Sequence, residues 1–348
     1  MNFFKIKNWE YWPAPMFYIP LLPYALYLAV KSKSFGFFSA VNPGIEGSGN
    51  GLESKFKTIE LLPDFCKPKS IFISKFQNFE FIKNQLSSTK INYPIIIKPD
   101  IGFRGLLVKR IQNENELYSY MHKYNSINLI IQEYVDYKNE CGIFYYRLPS
   151  EKSGVVTSLT LKKYLTVKGD GISTLEKLIK NDNRAQNYIA LALEINKEKL
   201  QIILPKDEEI ILNVIGNHSK GTQFINGNHL INNKLLNVLN LLNNQIDGWY
   251  YGRIDIKYNS FEELMEGENF KILEINGIIA EPTHIYDATK GTYFMALTSL
   301  KNHWKIIYEI GMANKKLNKG KFTNFKGLVK FYFRYNKYLK KVADLSAT

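Results

Sequence analysis

Two short stretches in the C-terminal half of the chain alternate apolar and polar residues with period two: Gly252-Arg253-Ile254-Asp255-Ile256 and Ile272-Leu273-Glu274-Ile275-Asn276. That alternation predicts half-buried strands whose polar side chains share a face, Arg253 with Asp255 and Glu274 with Asn276. The residues between them, 259–269, are polar, acidic and glycine-containing, so the simplest arrangement is an antiparallel pair joined at the surface. Further strands are predicted over 94–99, 106–111, 129–135, 142–148 and 154–165, with a glycine turn from Asp100 to Gly105 between the first two. Helical periodicity covers 184–196, 232–246 and 291–312, and Ser173-Thr174-Leu175-Glu176 reads as a capping box that starts another helix. Interleaved strands and helices of this kind place the chain in the α/β (α+β) class.

Residues 11–30 carry no charge and are rich in Tyr, Phe, Leu and Pro. Pro13, Pro15, Pro20 and Pro23 break any continuous helix and leave 21–30 as the helical piece. Lys5 and Lys7 precede the stretch, and Lys31 and Lys33 follow it. Such symmetry suits a segment that dips into one leaflet from the cytoplasmic side. An apolar arm packed on the protein itself, or on a second subunit, is the competing reading. The next segment, 42–55, is too glycine-rich for a regular element and reads as an ordered substrate lid or as a linker, with Glu46, Glu53 and Lys55 as its polar groups. It is not a P-loop, since the G-K-[ST] ending is missing.

The chemistry concentrates on the two alternating strands. Paired, they would unite Asp255, Glu274 and Asn276, a hard oxygen-only set suited to Mg²⁺, which takes its remaining ligands from water and nucleotide phosphates. A solvated hairpin with an Arg–carboxylate pair is the plain alternative. In the 94–111 hairpin, glycine backbone N–H groups can approach phosphate oxygens above Lys98. Beside the strand at 129–131, the main chain of Glu133, Tyr134 and Val135 could hold an adenine, and Glu140 could accept ribose hydroxyls. His218 lies alone in the polar loop 216–222 and has no ligand-spaced partner.

Composition adjusts this picture in three ways. The 348 residues carry a formal charge of +14, which favours an anionic partner such as nucleotide phosphate or an acidic membrane surface. The basic, aromatic tail from Lys315 to Lys341 suits that membrane surface; it could also track single-stranded nucleic acid, but no nucleic-acid motif accompanies it. Cys66 and Cys141 are far apart and form no C-x-x-C, so neither a disulfide framework nor a zinc site is indicated, and a reducing cytoplasmic setting is expected, at the inner face of the membrane if the arm enters a leaflet.

Taken in order, a strand ending in Lys98-Pro99, a glycine hairpin, Gln132-Glu133-Tyr134-Val135 with Glu140 seven residues after Glu133, Gly252-Arg253-Ile254-Asp255 and Glu274-Ile275-Asn276 resemble the ATP-grasp superfamily, the D-alanine–D-alanine ligase and cyanophycin synthetase-like carboxylate–amine ligases in particular. Gly169-Asp170-Gly171 and Asn217-x-Ser219-x-Gly221 are similar to segments of the latter. The resemblance spans about 93–287 and implies an ATP-grasp fold, two α+β subdomains clasping ATP, at 91–312, after an abbreviated substrate domain at 1–90 and before a basic tail at 313–348. It implies that Lys98 and the loop holding Gly102, Arg104 and Gly105 contact phosphates, that Glu133, Tyr134 and Val135 hold adenine, and that Glu140 holds ribose. Asp255, Glu274 and Asn276 would ligate one or two Mg²⁺ ions, for which Mn²⁺ can substitute. Arg253 would stabilise the transferring phosphoryl group. A second phosphate lysine is expected among Lys162, Lys163 and Lys168, and Asn217 belongs to the nucleotide set.

The implied reaction joins a carboxylate to an amine through an acyl phosphate, releasing ADP and phosphate. The segment after Asn276, Gly277-Ile278-Ile279-Ala280-Glu281-Pro282, departs from the Ser-Pro-Gly-Met type of the D-alanine ligases, which argues for another acceptor and leaves a lipid-linked substrate open. Phosphoryl transfer to a non-carboxylate acceptor, and an inactive nucleotide-binding scaffold at a membrane, are the alternatives. A homodimer is compatible with all three.

Overall fold

The computed structural model describes residues 8–347, so the expected flanking lysines Lys5 and Lys7 lie outside the described residues. The chain forms two compact units, Met1–Thr160 with Asn226–Thr348, and Leu161–Ile225.

In the larger unit, strands β1 (Ser70–Ile73), β2 (Ile95–Pro99), β3 (Lys109–Ile111) and β4 (Leu129–Glu133) form an antiparallel sheet of order β1-β4-β2-β3. The sheet therefore draws strands from both sides of position 90. Ile71, Ile73, Ile95 and Ile97 supply its buried face and meet Ile82, Leu86, Leu117 and Met121 from the helices Phe79–Thr89 and Glu114–Tyr124. Each helix starts at an asparagine, Asn78 or Asn113, whose side chain accepts a backbone N–H of the first turn. The strand returning from the glycine turn is shorter than predicted. Gly105 and Leu107 have φ of 70° and 57°, outside the extended region, so pairing begins only at Lys109.

The second sheet of this unit contains β5 (Asn139–Tyr146) and β6 (Val155–Lys163), from which the chain passes into the smaller unit. There β7 (Leu165–Lys168) pairs with β8 (Glu209–Asn213), and Leu165, Val167 and Leu212 pack with Leu175, Ile179 and Ala192 of two short helices. The first of these, Leu175–Asn181, is capped one residue later than predicted. Thr174, not Ser173, accepts the Lys177 N–H, so Glu176 falls at the second helical position and cannot close a reciprocal box. A capping box is present at Ser260–Glu263. The helix expected over 184–196 is broken into a 3₁₀ turn, Ala185–Tyr188, and Ile189–Ile195. After β9 (Gln223–Asn226) the chain returns to the larger unit, where β10 (Tyr251–Tyr258) and β11 (Phe270–Asn276) complete a run of order β11-β10-β5-β6.

The proline-rich arm divides as the prolines require, into Pro15–Tyr18, Ile19–Leu21 and Leu22–Ser32. One side of it is core. Phe17 and Leu21 pack with Ile285, Ala296 and Leu300, and the Trp9 indole donates to Ile285 O at 2.9 Å. Among the described residues no helix is long and apolar enough to cross a membrane. The tail is a helix, Phe325–Ala347, seated by its inner side: Tyr335 meets Phe103, Tyr338 donates to Ile101 O, and Val342 is buried.

Two histidines are held neutral. Burial pushes His284 down to about 4, and burial with the nearby His284 pushes His303 down to about 3. In the unfolded chain both titrate near 6.5. At pH 7 the folded protein binds neither proton and the unfolded chain only a minor share. As pH falls through 6.5 the unfolded chain takes up protons that the folded protein refuses, so stability declines until about pH 4, where His284 itself titrates. The thermal midpoint should fall between pH 7 and 4.5, and less steeply in His284→Asn than in the wild type.

Candidate active site

β10 and β11 pair in the predicted antiparallel sense, with Asp255 opposite Glu274 and Arg253 opposite Asn276. The two carboxylates therefore lie side by side on one face. Arg253 Nε and Nη2 donate to the two oxygens of Asp255 at 3.0 and 3.1 Å, a bidentate pair. Asn276 Nδ2 donates to Asp255 Oδ2 at 3.2 Å. On the other neighbour, β5, Gly142 stands opposite Asp255. A Cβ there would come within 3.1 Å of Arg253 Cδ and 3.2 Å of Asp255 Oδ1, so glycine leaves room for the ion pair.

Glu274 is held by Lys55, whose ammonium forms an ion pair with Oε1. Burial alone would raise the Glu274 carboxyl, but the Lys55 and Lys98 charges outweigh it and hold it low. For Lys55, burial works against the charged form, and the Glu274 carboxylate more than offsets it. Lys98 leaves β2 to donate to Gln132 Oε1 at 3.2 Å and Leu273 O at 3.3 Å. Burial brings its ammonium down to about 8.

Lys55 reaches this site because segment 42–55 is tied down along its length. Asn42, fully buried, accepts from the backbone N–H groups of Tyr250 and Tyr251 at 2.8 and 3.0 Å and donates to Ser48 O and Tyr251 O. Ser48 O and Gly49 O accept from Ile278 N and Ile279 N just beyond β11. Gly49 has φ of 77°, and a Cβ would stand 2.5 Å from Gly277 Cα, so only glycine fits this approach. Ser54 then caps the helix Lys55–Glu60 while its hydroxyl donates to Asp100 Oδ1 at 2.8 Å. The linker reading of this segment is thereby excluded.

The remaining expected residues are distributed as follows. Glu133 ends β4, and its carboxylate accepts Lys69 N at 2.9 Å. Tyr134 lies under Arg110, 4.1 Å from its ring centre, and Val135 O accepts Lys257 Nζ at 3.1 Å. Glu140 is opposite Lys257 across β5 and β10. Lys257, buried and also bonded to Tyr137 O, is a candidate site residue that sequence reasoning missed. It continues the 253, 255, 257 alternation of β10, which was the available signal. Gly102, Arg104 and Gly105 lie in the loop between β2 and β3. Lys162, Lys163, Lys168 and Asn217 belong to the smaller unit, where Lys168 pairs with Asp207 at 2.8 Å and Asn217 caps the turn at His218–Lys220.

Beyond β11, Glu281 accepts hydrogen bonds from Tyr18 of the arm and from Tyr286, the latter at 2.7 Å, and its carbonyl accepts Arg253 Nη1 at 3.3 Å. The arm is thus wired to the catalytic candidate Arg253. Burial first, then the Glu281 charge, raises both phenols, so they remain donors.

Among the described residues no group of three or more His, Cys, Asp or Glu is clustered for a metal. The candidate set is two carboxylates and one amide oxygen, hard donors that fit Mg²⁺ if phosphate and water complete its shell.

No protein-family model matches this chain, and no curated protein does. Solved structures similar to it include a bifunctional glutathione synthetase from Pasteurella multocida, 15% identical over 72% of this chain and 36% of that one, with a TM-score of 0.38. The VanG D-Ala:D-Ser ligase of Enterococcus faecalis is 11% identical over 75% of this chain and 61% of its own, with a TM-score of 0.41. A D-alanine–D-alanine ligase from Bacillus anthracis is 13% identical over 76% and 68%, with a TM-score of 0.45. The chain spans about a third of the first of these and about three fifths of the second. The likeness to each is one of fold.

Proposed function

We propose that this chain is an ATP-dependent carboxylate–amine ligase. The observation that carries the reading is the opposed Asp255–Glu274 pair, each carboxylate matched by its own cation, with the Lys98 ammonium beside Glu274. A hairpin face serving only solubility has no use for two partly buried carboxylates and three cations drawn from separate elements.

In this proposal Asp255, Glu274 and Asn276 hold Mg²⁺, which when bound would draw charge from the phosphate oxygens. Arg253 and Lys55, freed from their carboxylates, turn onto phosphate oxygens, and Lys98 adds a third cation. A substrate carboxylate oxygen then attacks the γ-phosphorus, ADP leaves, and an acyl phosphate forms. The amine attacks the acyl carbon, loses a proton, and expels phosphate. Arg253 stabilises the charge that develops in both steps, and no enzyme nucleophile is required. Glu133, Tyr134, Val135 and Glu140 are proposed for the adenosine, and Lys162 or a neighbouring lysine for a phosphate.

The test needs no knowledge of the substrates. Thermal denaturation with ATP, with and without Mg²⁺, should show a Mg²⁺-dependent rise in midpoint, about 2.7 kcal/mol of stabilisation at 100 times the Kd. The Asp255→Asn, Glu274→Gln double variant should lose most of it. An equal rise in both proteins would remove the metal assignment, and no rise with any nucleotide would remove the ligase reading.

A further inference from the structure

The helix Leu22–Ser32 buries one side and leaves the other to solvent, yet the outward side carries no charge until its end. Leu22, Leu26 and Val30, spaced four apart and so on one stripe, are 50%, 56% and 75% exposed. Ile19 and Phe35 extend the stripe at either end and are equally open. Surface helices of a water-soluble domain place polar residues at such positions. A second stripe of the same spacing, Phe325, Val329 and Phe333, lies on the outer side of the helix Phe325–Ala347. The two meet where the Phe35 and Phe325 rings pack edge to face, 6.5 Å apart, and where Thr323 N donates to Ser39 Oγ at 2.7 Å.

Charge identifies what this surface fits. No acidic residue occurs between Glu10 and Glu46 or between Glu309 and Asp344. Exposed Lys31 and Lys33 close one stripe, and exposed Lys326 and Lys330 border the other. The Lys31 ammonium lies over the Tyr308 ring, 5.1 Å from its centre, so its charge is presented at a defined place. Two apolar stripes carried on segments that hold cations and no acidic residue match the boundary between acyl chains and anionic headgroups.

We propose that these two stripes form one membrane-docking face that seats the protein on an anionic bilayer, with Leu22, Leu26, Val30, Phe325, Val329 and Phe333 entering the acyl boundary. The face rests in one leaflet and does not span the bilayer. Because Tyr18 of the same arm bonds Glu281, docking would hold the candidate site at the bilayer surface. The surface itself does not depend on the ligase reading.

Sedimentation of the full chain with vesicles tests it, using phosphatidylcholine alone and phosphatidylcholine with phosphatidylglycerol at about one lipid in three. The wild type should sediment with the anionic vesicles and remain free of the neutral ones. The Leu22→Asp, Leu26→Asp, Val30→Asp variant should bind roughly tenfold or more weakly. Circular dichroism should show the variant folded, since these side chains are half or more exposed. The Lys326→Gln, Lys330→Gln variant should bind more weakly and with a shallower dependence on salt. Absence of wild-type binding would overturn the proposal. So would an unimpaired triple-Asp variant, which would mean adsorption by charge alone. A wild-type dimer that the triple-Asp variant dissociates, without vesicle binding, would assign the face to a second copy, and binding to single-stranded RNA in place of vesicles would assign it to nucleic acid.

Discussion

Arg253→Met is expected to lower stability by about 3 kcal/mol, because it strands the Asp255 carboxylate in a site where that side chain is only 10% exposed. Asn276 Nδ2 would still donate to it, but an amide does not replace the lost charge. The variant should also respond to metal in a way the wild type does not. In the wild type, Arg253 and Lys55 already balance the two carboxylates, so Mg²⁺ or Mn²⁺ without nucleotide has little charge left to neutralise. With Arg253 removed, millimolar Mn²⁺ should restore part of the lost midpoint. Thermal denaturation across a Mn²⁺ titration reads this directly. If the variant is destabilised and metal does nothing for it, Asp255 is a structural partner of Arg253 and no ligand.

Asn42→Ala should cost about 4 kcal/mol, measured by denaturant unfolding. The side chain has no exposure and makes four backbone hydrogen bonds, accepting from Tyr250 N and Tyr251 N and donating to Ser48 O and Tyr251 O. Truncation leaves these groups buried without water to replace the amide, and each such loss is worth about 1–3 kcal/mol. The damage should spread to Lys55, because Asn42 ties the start of the segment to β10. Asn42→Asp tests the accounting. It keeps the two accepted bonds but loses both donated ones and buries a charge, so it should be no milder than Ala.

Much of the site is legible in the amino-acid sequence, and for a definite reason. β10 and β11 are consecutive strands whose polar residues, Arg253 and Asp255 on one and Glu274 and Asn276 on the other, stand two apart, so period-two patterning sets which of them share a face. Which of them stand opposite each other is a matter of register, and the pairing of Asp255 with Glu274 lies next to a register shift that the pattern does not encode. The proline-broken arm is legible too, since a missing N–H acts locally. Local rules fail where two of them compete. Ser173 and Thr174 are both competent caps, and the choice between them is set by the Asp170 turn, whose carboxylate already takes the Ile172 and Ser173 N–H groups. The strand predicted over 106–111 is shortened because its apolar run carries no sign of the positive φ at Leu107.

Lys55 shows the limit most clearly. It stands 219 residues from Glu274, and nothing in its own segment beyond a glycine-rich, polar composition marks it as a partner. Its position depends on Asn42 holding β10, on Gly49 passing against Gly277, and on Asp100 fixing the helix that starts at Lys55. Each of these is a contact between distant parts of the chain, chosen by close packing and hydrogen-bond satisfaction. The sequence by itself therefore determined that the two strands of the candidate site turn their carboxylates to a polar face, because that depends on backbone periodicity. Only the tertiary structure decided which cations balance those carboxylates, and which apolar residues of the arm face inward and which remain exposed, because long-range packing alone assigns them.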